Sequence, residues 1–151
     1  MFDFIMDKKN SITRSIGIPA IGALNYYDEP ERFFWFGVVD TIVPDRKIEL
    51  SIEPDNGTEI SEEQIRLVQD FPADYNYYIN MLFAYLESVY DELTLEAIKE
   101  MYFLAAIELK KYNSELHFTL EPNLNVQPKY DHFQRFIIVD KMITWSNISL
   151  E

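Results

Sequence analysis

Apolar and polar positions alternate most regularly in "RKIELSIEP", where Ile48, Leu50 and Ile52 are interleaved with Lys47, Glu49, Ser51 and Glu53. A period of two predicts a strand with one wet face. The preceding run, "ERFFWFGVVD", departs from that pattern. In a strand, Phe33, Trp35, Gly37 and Val39 share one side, and Phe34, Phe36, Val38 and Asp40 share the other. Both sides are apolar as far as Asp40, as expected of a central strand covered on both faces. One face is expected in the core. The second is open to two readings, further core or a contact surface. Gly37 is expected to leave a shallow spot beside the Trp35 indole, since a strand glycine often marks a bulge or a close approach.

Turn residues divide these strands. Asp28 to Arg32, with Pro30, separates a short strand from the aromatic one. Pro44 and Asp45 in "VPDRK" suit the central positions of a type I turn, and "PDNG" (54–57) ends the unit. Helical spacing then takes over. Ser61 and Gln64 make a capping-box pattern, with Glu62 and Glu63 favourably placed against the N-terminal dipole. Pro72 fits the first turn of a second helix. There Tyr75, Tyr78, Ile79, Leu82, Leu86 and Val89 form one apolar stripe, with Phe83 and Tyr90 off its centre.

After Thr94 both periods fit. Leu95, Ile98, Met101, Tyr102, Ala105 and Leu109 match a helix, whereas Met101, Phe103, Ala105, Ile107 and Leu109 match a strand. A short helix to about Glu100 followed by a strand is preferred. The following "KKYNSE" resembles a hairpin turn, and "ELHFTLEP" beyond it alternates with Leu116, Phe118 and Leu120 on one face. "HFQRFIIVDKMITWSNI" reads as two strands joined at Asp140 and Lys141. The predicted fold is α+β in a single domain, 1–151. It has an N-terminal three-stranded antiparallel unit, central helices and about four C-terminal antiparallel strands.

Charge alters this picture. The chain carries 26 acids and 13 bases, net −13, and the segment Asp28–Glu100 alone holds 18 acids against 5 bases, also net −13. A field concentrated on part of a molecule steers a basic partner. It disfavours nucleic acid, whose phosphates need clustered Lys and Arg. The absence of cysteine removes disulfides and thiolate-bound zinc. No run of ~18 apolar residues is available for a membrane span. The N-terminal "MFDFIMDKKN" lacks the basic-then-apolar order of a secretory signal. A cytoplasmic location is therefore expected.

Sequence chemistry is sparse. There is no G-x-S-x-G elbow, no P-loop and no G-x-G-x-x-G. Glu115, His117, Thr119 and Glu121 share a strand face, and His132 begins the next strand. Those donor types suit zinc or iron, but without a ligand-spacing signature they read as a solvated face. Glu49 and Glu53 lie ~13 Å apart along one strand, too far for a glycosidase pair at ~5–9.5 Å. No catalytic, cofactor or metal residue is assigned. Five tyrosines crowd the second helix and its end. Tyr75, Tyr78 and Tyr85 are expected to put rings in the core, while Tyr77 lies off the stripe beside acids, a mixture suited to partner Arg and Lys.

"FFWFGVVD", "RKIELSIEP", "SEEQ", "ELHFTLEP" and "ITWSN", with Trp35, Gly37 and Trp145 as the clearest points, resemble small acidic bacterial proteins of the kind encoded beside polymorphic toxins as immunity proteins. No catalytic residues accompany that pattern. The resemblance implies a cytoplasmic, non-enzymatic binder of another protein. The expected function is thus a protein-binding module that occludes a basic toxin, with Glu49, Glu53, Tyr77, Glu87 and Asp91 as partner-binding residues. The alternative is a small enzyme or a ligand- or metal-binding protein, with a pocket between the two strand groups near His117 and His132. A third reading is a homodimer paired through the aromatic strand. Neither a nucleic-acid nor a membrane partner is expected.

Overall fold

The computed structural model describes residues 14–30, 32–55, 57–110, 115–123, 125 and 132–147. The N-terminal stretch 1–13 and the expected hairpin turn at 111–114 lie outside them. Eight described strands form one sheet in chain order. The first four are β1 (Ser15–Ile18), β2 (Gly22–Glu29), β3 (Arg32–Val43) and β4 (Arg46–Ile52), and the last four are β5 (Tyr102–Leu109), β6 (Leu116–Pro122), β7 (Gln134–Val139) and β8 (Met142–Ser146). Between β4 and β5 come α1 (Glu62–Gln69), α2 (Phe71–Val89) and α3 (Leu95–Met101). The fold is α+β. All neighbouring strands are antiparallel except β4 and β5, which run parallel. A parallel pair needs a long crossover, which the helices supply.

The expected two strand groups are therefore halves of one sheet, and the N-terminal half has four strands instead of three. The physical reason is the β4–β5 ladder, in which Leu50 pairs with Ile107 and Ile52 with Leu109. Among the described strands, pairing the two inner edges leaves β1 and β8 as sheet edges. The aromatic strand β3 has both of its edges hydrogen-bonded, to β2 and to β4. A dimer using β3 would have to stack sheet faces.

The described helices cover one face. Leu24, Tyr26, Trp35, Leu50, Ile107, Phe118 and Phe136 are buried beneath them. Tyr78 lies 5.0 Å from the Phe118 ring, and Tyr85 stands perpendicular to Phe136 at 5.6 Å. The Trp35 indole N–H donates to the Thr58 carbonyl at 2.9 Å. The α1 capping box is present: Ser61 Oγ accepts from Gln64 N–H, and Gln64 Oε1 accepts from Ser61 N–H. Gln64 also donates to the Glu53 carbonyl at 2.7 Å, which ties the helix start to the end of β4.

Phe83, off the centre of the α2 stripe, is nonetheless only 7% exposed. Two local expectations are corrected. Asp45 has φ 61°, the left-handed value that a type II turn requires after Pro44 and a type I turn does not. The helix does yield to a strand after Met101, but its buried residues are Tyr102, Leu104, Ile107 and Leu109. The register shift between Leu104 and Ala106 is a bulge that switches the phase of alternation at Ala105.

Gly37 leaves no shallow spot. A Cβ there would lie 2.4 Å from the Ala23 carbonyl oxygen and 2.8 Å from Leu24 Cδ2. The glycine is needed because β2 already occupies the space.

Candidate binding face

Among the described residues no helix packs on the second face of the sheet. Its side chains form cross-strand rows. One row runs Phe36, Ser51, Glu108, His117, Ile137 and Trp145. The next runs Val38, Glu49, Ala106, Thr119 and Arg135. Strands spaced ~4.8 Å apart make such an eight-stranded face ~34 Å wide. The second side of β3 is thus graded: Phe34 is buried, Phe36 half-buried and Val38 55% exposed. At the far edge, Trp145 is 51% and Met142 66% exposed on the same face. The aromatic strand is core at its Phe34 end and open to solvent at Val38.

A groove of about 420 Å³ opens on this face across the β4–β5 junction, lined by Phe34, Phe36, Glu49, Ser51, Glu108 and Thr119 among others. At one end four charges are linked. Arg32 reaches Glu53 at 3.5 Å and Glu108 at 3.3 Å, and Lys110 reaches the same acids at 3.1 and 3.8 Å. The Arg32 guanidinium also lies 4.3 Å from the centre of the Phe34 ring. His117 Nε2 is 2.6 Å from Glu115 Oε2. Among the described residues, the buried Ser51 Oγ has no hydrogen-bond partner.

The five expected contact residues do not form one patch. Glu49 is exposed on the second face. Glu53, expected on the wet side of β4, is buried within the ion network, because Arg32 and Lys110 close over it. Tyr77, Glu87 and Asp91 belong to the helix layer on the opposite side. Tyr77 is half exposed, but its hydroxyl donates to the Lys141 carbonyl at 2.9 Å in the β7–β8 turn. From Tyr77 to Glu87 is ten residues of α2, ~15 Å along the helix.

The two histidines are not brought together. His117 pairs with Ile137, five residues beyond His132, or ~16 Å of extended chain. Among the described residues there is no group of three or more His, Asp or Glu side chains placed to hold a metal. No described helix is long and apolar enough to cross a membrane.

Arg32, Ser51, Ala106 and Glu108 were not anticipated. Ser51 was visible as one of the polar positions of β4. Its neighbours Ala106 and Glu108 lie more than fifty residues away, and only the parallel β4–β5 pairing puts them beside it. Comparison with protein-family models, curated proteins and solved structures finds no match to this chain.

Proposed function

We propose that this chain is a non-catalytic, cytoplasmic binding module whose second sheet face, on which no described helix packs, receives a basic protein. Occlusion of a toxin by an immunity-type protein is the form that best suits its small size and acidity. The observation that carries this reading is the make-up of the face. Val38 at one side and Met142 and Trp145 at the other, each more than half exposed, bracket a groove that contains the exposed carboxylate of Glu49. Aromatic residues and Met are enriched at protein contacts, and large exposed apolar groups on a strongly charged chain favour a contact role. An interface of ~800 Å² per partner would take about a tenth of the 9191 Å² surface. An enzyme or metal-dependent binder using His117 and His132 finds less support, since the two lie apart and His117 is engaged by Glu115.

The net charge of −13 raises the encounter rate with a cationic partner, and the apolar bracket slows its release. The test is association with the product of a toxin-like reading frame adjacent to the gene, measured by stopped flow. Raising ionic strength from about 0.01 M to 0.15 M shortens the screening length from ~30 Å to ~8 Å. The association rate should fall at least about tenfold over that range. A rate indifferent to salt removes the steering role, and the absence of any complex removes the function.

A further inference from the structure

The groove exists because of side-chain length. Ser51, Ala106 and Thr119 are short, and they sit among Phe36, Glu49, Glu108 and His117 in the two central rows. The floor therefore drops where the small residues meet. Its volume, about 420 Å³, lies within the ~300–1,000 Å³ of small-ligand sites.

Two groups in it have unmet capacity. Ser51 is 8% exposed, and its Oγ lacks any hydrogen-bond partner, an unfavourable state for a buried hydroxyl. Such groups are uncommon in folded proteins, and an absent bonding partner is one explanation for them. Glu49 stands between Val38 and Ala106 in its row, neither of which has a side-chain donor, and it makes no ion pair among the described residues.

The same face already holds a cation in a related setting. Arg32 lies over Phe34 and bonds to Glu53 and Glu108. Glu49, four residues before Glu53 on the same side of β4, offers a carboxylate in a groove that Phe36 also lines.

We infer that this groove is a subsite for one arginine side chain of the basic partner. This assignment rests on the reading of the face as a docking surface. The Glu49 carboxylate accepts guanidinium N–H groups, and Ser51 Oγ accepts another after a turn about χ1. The methylene stem lies along Phe36 and Ala106. Arginine suits the spacing better than lysine. Glu49 and Ser51 are two residues apart on β4, ~6.6 Å, a span that a planar fork of five donors bridges and a compact ammonium does not.

The experiment is calorimetric titration with the blocked peptide Gly-Ser-Arg-Ser-Gly and its Lys and citrulline counterparts. The Arg peptide should bind about tenfold more tightly than either. Glu49→Gln should lower its affinity about tenfold, through loss of a charge-assisted contact, and Ser51→Ala about threefold. Ser51→Ala should keep or raise the melting temperature, so its binding loss would not reflect misfolding. Glu87→Gln and Asp91→Asn should change nothing. Equal binding of the Lys peptide, or an unaltered Glu49→Gln variant, overturns the subsite. So does binding of agmatine without binding of the peptide, which would make this a small-molecule site. If a basic protein binds wild type and Glu49→Gln alike, the subsite fails while the docking role stands. If the peptide binds as described and no basic protein does, the docking role fails instead.

Discussion

On the helix-covered side of the sheet, Trp35, Leu50, Phe118 and Phe136 are sealed beneath three described helices. On the other side, the sheet presents Val38, Glu49, Thr119 and Trp145 at least partly to solvent, around a groove with an unpartnered hydroxyl. Charge divides differently. The helical stretch 61–101 holds nine acids and two bases, net −7, over half of the chain's net −13. The larger share of the net charge and the groove beside Glu49 are thus on opposite sides of the sheet. Attraction over distance and grip at contact are separable properties: the first governs arrival, the second residence.

The sharpest contrast between the faces is in stability. Trp35→Ala removes a buried ring and its bond to Thr58, and should cost ~3–5 kcal/mol in urea denaturation. A cost no greater than that of Trp145→Ala would abolish the distinction between the faces.

Alkaline pH should act on the covered side next. Burial first, then the charges of Asp74, Tyr77 and Asp70, push the Tyr78 hydroxyl from 10 up to about 12. The folded chain therefore keeps this proton after the unfolded chain has lost it. Stability is unaffected below pH 10 and falls between pH 10 and 12, by up to ~2–3 kcal/mol from this residue. Tyr78→Phe should flatten that part of the decline. A share remains for Tyr26, Tyr27 and Tyr75, which burial raises in the same direction.

Gly37→Ala should cost ~1–3 kcal/mol, because its methyl group would strike the Ala23 carbonyl. On the second face, Trp145→Ala and Val38→Ser should shift stability by no more than ~0.5 kcal/mol, as is usual at exposed positions. Trp145→Ala should nevertheless weaken partner binding by ~2 kcal/mol if the indole anchors the contact. Unchanged binding would take Trp145 out of the interface.

Much of the fold was legible because local signals agreed with it. The β4 alternation, the Ser61–Gln64 cap and the turn at Asp140–Lys141 each need only near neighbours. The Asp140 and Lys141 φ values, 53° and 62°, are those of a type I′ hairpin. The union of the two strand groups was not legible, since it rests on the pairing of Leu50 with Ile107 across three intervening helices. The same pairing assembles the groove. Reading Glu49 from its own strand identified one wall, while Glu108 and Ala106 came from a strand whose phase is shifted by the bulge at Ala105. Sequence alone cannot separate Tyr77, Glu87 and Asp91 from Glu49 and Glu53, because it shows charge density without showing which side of a sheet it faces.

The most direct measurement is amide chemical-shift mapping during titration with the Arg peptide. Shifts should concentrate at Glu49–Ser51, Ala106–Glu108 and His117–Thr119, the strand segments around the groove. Shifts gathered instead at Glu87–Glu92, in the acidic helix layer, would contradict the assignment of the sheet face as the binding surface.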